Sequence, residues 1–122
     1  MPEWFRAITE QVVGICGIKD MPNSCNANLY ESGEDVVGWH ADDEPLFKAT
    51  EQDALIISLS LGATRTFAYR LNTQVHKVDR LVLAHGDICT MEGLMQKYYQ
   101  HAVLRNSATD KPRINLTWRW IV

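Results

Sequence analysis

Pro112-Arg113-Ile114-Asn115-Leu116-Thr117-Trp118-Arg119-Trp120-Ile121-Val122 ends the chain, and from Arg113 to Trp120 polar and apolar residues strictly alternate. Successive side chains of a strand point to opposite faces, so Arg113, Asn115, Thr117 and Arg119 share one side and Ile114, Leu116, Trp118 and Trp120 the other. The apolar side must be buried. The polar side has two readings: the solvent face of a sandwich strand whose arginines pair with surface acids, or the wall of a cavity that binds a dianionic small molecule. The second follows from the guanidinium fork, which matches a planar carboxylate. Arg113 and Arg119 stand six residues apart, roughly 20 Å along a straight strand. They share a small diacid only if twist, curvature and side-chain reach draw their heads together.

The two-residue period extends backwards from this stretch. Ala27, Leu29 and Glu31 alternate with Asn26, Asn28 and Tyr30; residues 54–61 are a β-branched and apolar run; residues 64–71 and 75–84 follow, after Gly62 and the Asn72-Thr73 turn. Gly86-Asp87 and Glu92-Gly93 mark further turns around a short strand, and one helical turn is expected over 94–98. Many short strands separated by turn signals indicate an all-β sandwich or barrel. Only the start differs: Trp4, Ile8, Val12 and Ile15 recur at helical spacing, with Gly17 as the stop and a Pro22-Asn23 loop after it. The expectation is one mainly β domain, with a supporting amphipathic helix at about 1–18 and a barrel at about 25–122.

The 122 residues are 46% hydrophobic and 22% charged, an ordinary globular composition. A net charge of −3 excludes the broad positive field of a high-affinity duplex binder, so any nucleic-acid contact must be local. Cys16, Cys25 and Cys89 are odd in number and widely spaced, which argues against a disulfide framework and a structural zinc site. We therefore expect an intracellular, reducing compartment (cytoplasm or nucleus), no membrane association and a monomer.

His40 and Asp42 are two residues apart, so on an extended segment imidazole and carboxylate point the same way. One more histidine would complete the triangular two-His-one-carboxylate face of non-haem iron(II) oxygenases, whose open positions take cosubstrate and O₂. His76, His85 and His101 are the candidates. His76 has polar neighbours and reads as a surface residue, and His85 precedes a turn. His101 is favoured, because it begins the apolar stretch 102–104 and a hairpin would bring it to the polar row twelve residues on.

Five stretches in order carry a resemblance: Asn28-Leu29-Tyr30; Gly38-Trp39-His40-Ala41-Asp42-Asp43-Glu44; Ser58-Leu59-Ser60-Leu61-Gly62-Ala63 with Arg65 and Phe67; the block from Gly86-Asp87 to His101 with Met91, Gly93, Gln96 and Tyr99; and Arg113 to Arg119. From Asn23 onward the chain resembles the catalytic core of the AlkB family of Fe(II)- and 2-oxoglutarate-dependent dioxygenases. The resemblance implies a double-stranded β-helix, a jelly-roll or cupin-like barrel. It implies Fe(II) on His40, Asp42 and His101, with 2-oxoglutarate and O₂ as cosubstrates. Arg113 with Tyr30 would hold the distal carboxylate of 2-oxoglutarate, Arg119 with Asn28 would lie by the iron-bound carboxylate, and Asn115 would support the site. Asp43 and Glu44 would contact the substrate base, against the alternative of a solvated acidic turn. The implied reaction is oxidative demethylation of N-alkylated bases in DNA or RNA, single-stranded or flipped, with release of formaldehyde, succinate and CO₂. The family's nucleotide-covering lid has no counterpart ahead of Trp4. Two rival readings stay open: the same chemistry on a protein or small molecule, and a non-catalytic cupin-like binding barrel.

Overall fold

The structure is a computed structural model that describes residues 2–43, 49 and 51–121. Helix α1 spans Glu3–Ile15, with Glu3 favourably placed in its first turn. It stops three residues earlier than the expected boundary. Gly17 takes a left-handed φ of 69°, and the Gly17 and Ile18 N–H groups fold back to the Gly14 and Val13 carbonyls, capping the end. The buried stripe is also rotated from the expected one: Trp4 and Ile15 are 64% and 67% exposed, while Thr9, Val12 and Val13 are buried. Trp118 decides this phase. Its ring stacks on Phe5 at 6.1 Å, and its indole N–H donates to Thr9 Oγ1 at 3.0 Å, so a polar threonine is needed inside.

Eight strands follow among the described residues: β1 Ser24–Tyr30, β2 Val37–His40, β3 Ile56–Gly62, β4 Arg65–Leu71, β5 Asp79–Leu83, β6 Ile88–Met91, β7 Tyr99–Val103 and β8 Arg113–Arg119. The one-turn helix α2, Met95–Tyr98, precedes β7 as expected. The strand expected over 75–84 is shorter at its start, because successive turn hydrogen bonds, Gln74 N–H to Leu71 O and Lys77 N–H to Gln74 O, occupy that backbone. The strands form two antiparallel four-stranded sheets, ordered β1-β8-β3-β6 and β2-β7-β4-β5. The chain crosses from one sheet to the other after every strand except β4, which pairs with β5 in the same sheet, the winding of a double-stranded β-helix.

Register then sorts the faces of the first sheet. Trp118 lies between Cys25 and Ile57, and Leu116 between Ala27 and Leu59, which places one apolar surface under α1. On the other face Arg113, Asn115 and Thr117 of β8 lie opposite Tyr30, Asn28 and Asn26 of β1, and Asn115 and Thr117 opposite Ser60 and Ser58 of β3. The hydrophobic core thus sits outside the barrel, between sheet and helix, and the barrel interior along this sheet is polar.

Gly33, in the loop after β1, accepts the Asn106 N–H at 2.9 Å and donates to Thr109 O at 3.1 Å. A Cβ there would collide with the Asn106 carbonyl. Gly33→Ala is expected to cost about 3 kcal/mol or more, since the obstacle is backbone. A urea melt with unchanged slope and a lowered midpoint checks it. Among the described residues no helix is long and apolar enough to cross a membrane.

Candidate active site

Strand β2 ends at His40, and its pairing with β7 sets His40 opposite His101 and Val37 opposite Val103. A register irregularity between those pairs lets Val37 and His40, three residues apart, both face inward. The two imidazole centroids are 4.2 Å apart, and Asp42, just past the strand end, brings Oδ2 to 3.7 Å from His101 Nε2. One ligand atom from each of His40, Asp42 and His101 lies within 4.8 Å of the others. The expected hairpin route is not the one used. β7 pairs with β2 and β4 in the second sheet, and His101 meets β8 across the barrel rather than along a ladder.

The protonation states suit a cation. His40 Nδ1–H donates to the Gly38 carbonyl at 2.8 Å, which leaves the Nε2 lone pair available. Burial, then the neighbouring His40, pushes His101 down to about 4, so at neutral pH it is an uncharged imidazole; among the described residues its buried Nδ1 has no hydrogen-bond partner. Burial raises the Asp42 carboxyl, while His40 and Arg119 oppose the rise and Asp43 adds to it. Donors each about 2.1 Å from one divalent ion stand about 3–4 Å apart. A 3.7 Å gap between a carboxylate and a neutral imidazole is too long for a hydrogen bond and suits two ligands of a common ion. The donor set of two nitrogens and one carboxylate fits iron(II) and leaves coordination positions open.

The other histidines are placed elsewhere. His85 Nδ1 accepts the Gly62 N–H at 2.9 Å and braces the β3–β4 corner. His76 lies in an exposed turn.

The same chamber, about 100 Å³, is lined by Asn28, Tyr30, Arg113, Asn115 and Arg119. Arg113 is 2% exposed, and its Nη2 donates to Ser60 Oγ at 2.8 Å and Asn115 Oδ1 at 3.3 Å. Among the described residues its buried Nε and Nη1 have no hydrogen-bond partner. Two guanidiniums face the Tyr30 ring, Arg113 at 5.1 Å and Arg65 at 5.4 Å. Burial raises the Tyr30 phenol, only partly offset by Arg113 and Arg65, so the hydroxyl keeps its proton and can donate. Asn115 is locked, accepting from Ser58 Oγ at 2.6 Å and donating to Thr117 Oγ1 at 2.8 Å. Arg119 acts electrostatically on Asp42, whereas Arg113 acts on Tyr30. The two cations therefore mark opposite ends of one chamber, and no straight-line grip on a ligand is needed.

Residues 1–119 match the sequence profile of the 2OG-Fe(II) oxygenase superfamily. The chain belongs to this superfamily. The AlkB resemblance is borne out by relatives of that name. Over 108 residues the chain is 40% identical to alpha-ketoglutarate-dependent dioxygenase alkB homolog 3 of Homo sapiens, covering 81% of this chain and 36% of that protein. Over 122 residues it is 32% identical to DNA oxidative demethylase ALKBH2 of Homo sapiens, covering 94% of this chain and 45% of that protein. The chain thus spans less than half the length of these relatives. The solved structure of OsALKBH1 superposes with a TM-score of 0.70 at 22% identity, covering 98% of this chain and 64% of that one, which bears out the barrel.

Other expected residues of this superfamily member fall less centrally. Asp43 is exposed, and Glu44 lies outside the described residues. Trp39 packs flat under the Arg70 guanidinium at 3.9 Å, and Arg70 is itself held by Gln100 Oε1. Sequence reasoning assigned no role to Ser58, Ser60, Gln96 and Arg65, all of which contact site residues. For the serines the signal was present, since they alternate with Ile57, Leu59 and Leu61 just as the polar row of β8 alternates. Arg65 donates to the Ser32, Asp35 and Leu104 carbonyls, contacts that no local pattern announces.

Proposed function

We propose that the chain is the core of an Fe(II)- and 2-oxoglutarate-dependent dioxygenase that demethylates N-alkylated bases in DNA or RNA. One observation carries the reading: a His-Asp-His cluster borders the same chamber as a buried arginine with unsatisfied donors. Iron(II) on His40, Asp42 and His101 would supply, with O₂ and 2-oxoglutarate, the oxidation of an N-methyl group to N-hydroxymethyl, leaving succinate and CO₂. The hydroxymethyl group then leaves as formaldehyde and restores the N–H.

The chain's own residues select and orient the cosubstrate. Arg113 offers Nε and Nη1 to the distal carboxylate, and the Tyr30 hydroxyl donates beside them. Ser60 and Asn115 hold the guanidinium through Nη2, which leaves Nε and Nη1 to an incoming acceptor. Arg119 provides positive charge at the metal end, where the keto-acid carboxylate would lie, and Asn28 lines the same chamber with a neutral amide. The nucleic-acid substrate rests on the AlkB relatives, one of them named a DNA oxidative demethylase. A base must be unstacked or single-stranded to reach such a chamber. An acidic chain holds phosphates weakly, so single-stranded substrate is favoured.

The test is incubation with Fe(II), 2-oxoglutarate and single-stranded oligonucleotides carrying one N-methylated base, following succinate and formaldehyde together. Equal yields of both are expected. Succinate without formaldehyde moves the reading to another substrate of the same chemistry, and neither product leaves a binding barrel.

A further inference from the structure

Asp42 sits beyond the end of β2, where no ladder supplies a partner for its backbone N–H. That N–H donates instead to Gln96 Oε1 at 2.9 Å, across 54 residues of sequence. Gln96 is 3% exposed, and its other end, Nε2, lies 3.6 Å from Met91 Sδ on β6. An N–H donor on one side and a thioether on the other leave the amide one sensible orientation, oxygen toward Asp42. Helix α2, which presents Gln96, is pinned at its C-terminal end: Asn72 Nδ2 donates to Lys97 O at 3.0 Å and Asn72 N–H to Tyr98 O at 2.8 Å. β7 begins at the next residue and carries His101.

We propose that Gln96 is a positioning residue for the metal carboxylate, coupling Asp42 to the α2–β7 unit through a side-chain-to-backbone hydrogen bond. All three ligands are then referenced to one element: His101 belongs to β7, His40 is paired to it, and Asp42 is held by the amide five residues ahead of His101. A buried amide is costly unless its partners are met, and a mere core filler at this place would be apolar. Gln96 touches no reacting atom; it sets where the carboxylate stands. The inference rests on the reading of His40, Asp42 and His101 as a metal centre.

The experiment is titration of the purified chain with Mn(II) or Co(II) alone, followed by calorimetry or by the metal's spectrum, beside a melting curve of each metal-free variant. Gln96→Leu, of similar size but without the acceptor, should weaken the metal by about 10- to 100-fold while the metal-free protein melts within a few degrees of the wild type. Gln96→Met makes the same test if the branched side chain disturbs the fold. Gln96→Glu should bind within about threefold of the wild type, because the carboxyl keeps an oxygen where the Asp42 N–H finds its acceptor. Wild-type affinity in Gln96→Leu, or equal loss in Gln96→Leu and Gln96→Glu, overturns the proposal. If Asp42→Asn and the wild type bind the metal alike, the metal centre itself is wrong, a result separate from any effect of Gln96.

Discussion

Asp42→Asn is expected to abolish 2-oxoglutarate turnover, by on the order of a thousandfold or more, without lowering the melting temperature of the metal-free protein. The two halves have one cause. Asp42 is the only carboxylate among the three clustered side chains, so the amide removes the single anion that would oppose a divalent charge. Burial disfavours that same charge, as its raised pKa shows, and an isosteric neutral group relieves this cost. Added Mn(II) should raise the melting temperature of the wild type, since a ligand of the folded state stabilises it by mass action, and should leave the variant unmoved. Succinate release and paired melts with and without metal are the measurements. A variant that still turns over, or that melts well below the wild type without metal, contradicts the assignment.

Arg113→Met is the second large effect, with the KM for 2-oxoglutarate expected to rise by roughly thirtyfold to a few thousandfold. That range corresponds to the roughly 2–5 kcal/mol lost when one partner of a buried hydrogen-bonded charge pair is truncated. Arg113 is 2% exposed and among the described residues has no carboxylate as a hydrogen-bond partner, so it is a buried cation held by Ser60, Asn115 and the Tyr30 ring. An incoming carboxylate would complete it. Methionine fills the aliphatic volume without charge, and the ligand-free fold should survive it. Arg113→Lys should not restore the KM, because an ammonium cannot reproduce the fork fixed by Ser60 and Asn115. Steady-state kinetics in 2-oxoglutarate at saturating metal separates this from the Asp42 effect, which metal concentration governs. A small KM change in Arg113→Met would return the polar row to a structural role.

The route by which His101 reaches the site shows how local patterning and topology divide the information. The apolar residues after it were legible, but not that β7 starts two residues earlier, at Tyr99, nor its ladder, because a two-residue period says which face a side chain takes and nothing about the neighbouring strand. Helix α1 is similar. Trp4 and Ile15 satisfy helical spacing as well as Phe5 and Thr9 do, and the choice between the two stripes falls to Trp118, more than a hundred residues away.

From the order of residues alone came the alternation of β8, the mainly β class, the helix ahead of it, the His40-Asp42 pair and the guanidiniums sharing one face. These are properties of side-chain direction along a few consecutive residues, and backbone geometry imposes them wherever the chain lies. Tertiary structure decided that the polar face turns into the barrel while the apolar face meets a helix, and that His101, not His76 or His85, joins the pair. It also decided that Gln96 contacts Asp42 and that Arg65 lies over the Tyr30 ring. Each of those outcomes depends on contacts between segments about 30 to 110 residues apart, whose pairing is selected by the free energy of the whole packed barrel rather than by any one stretch of it.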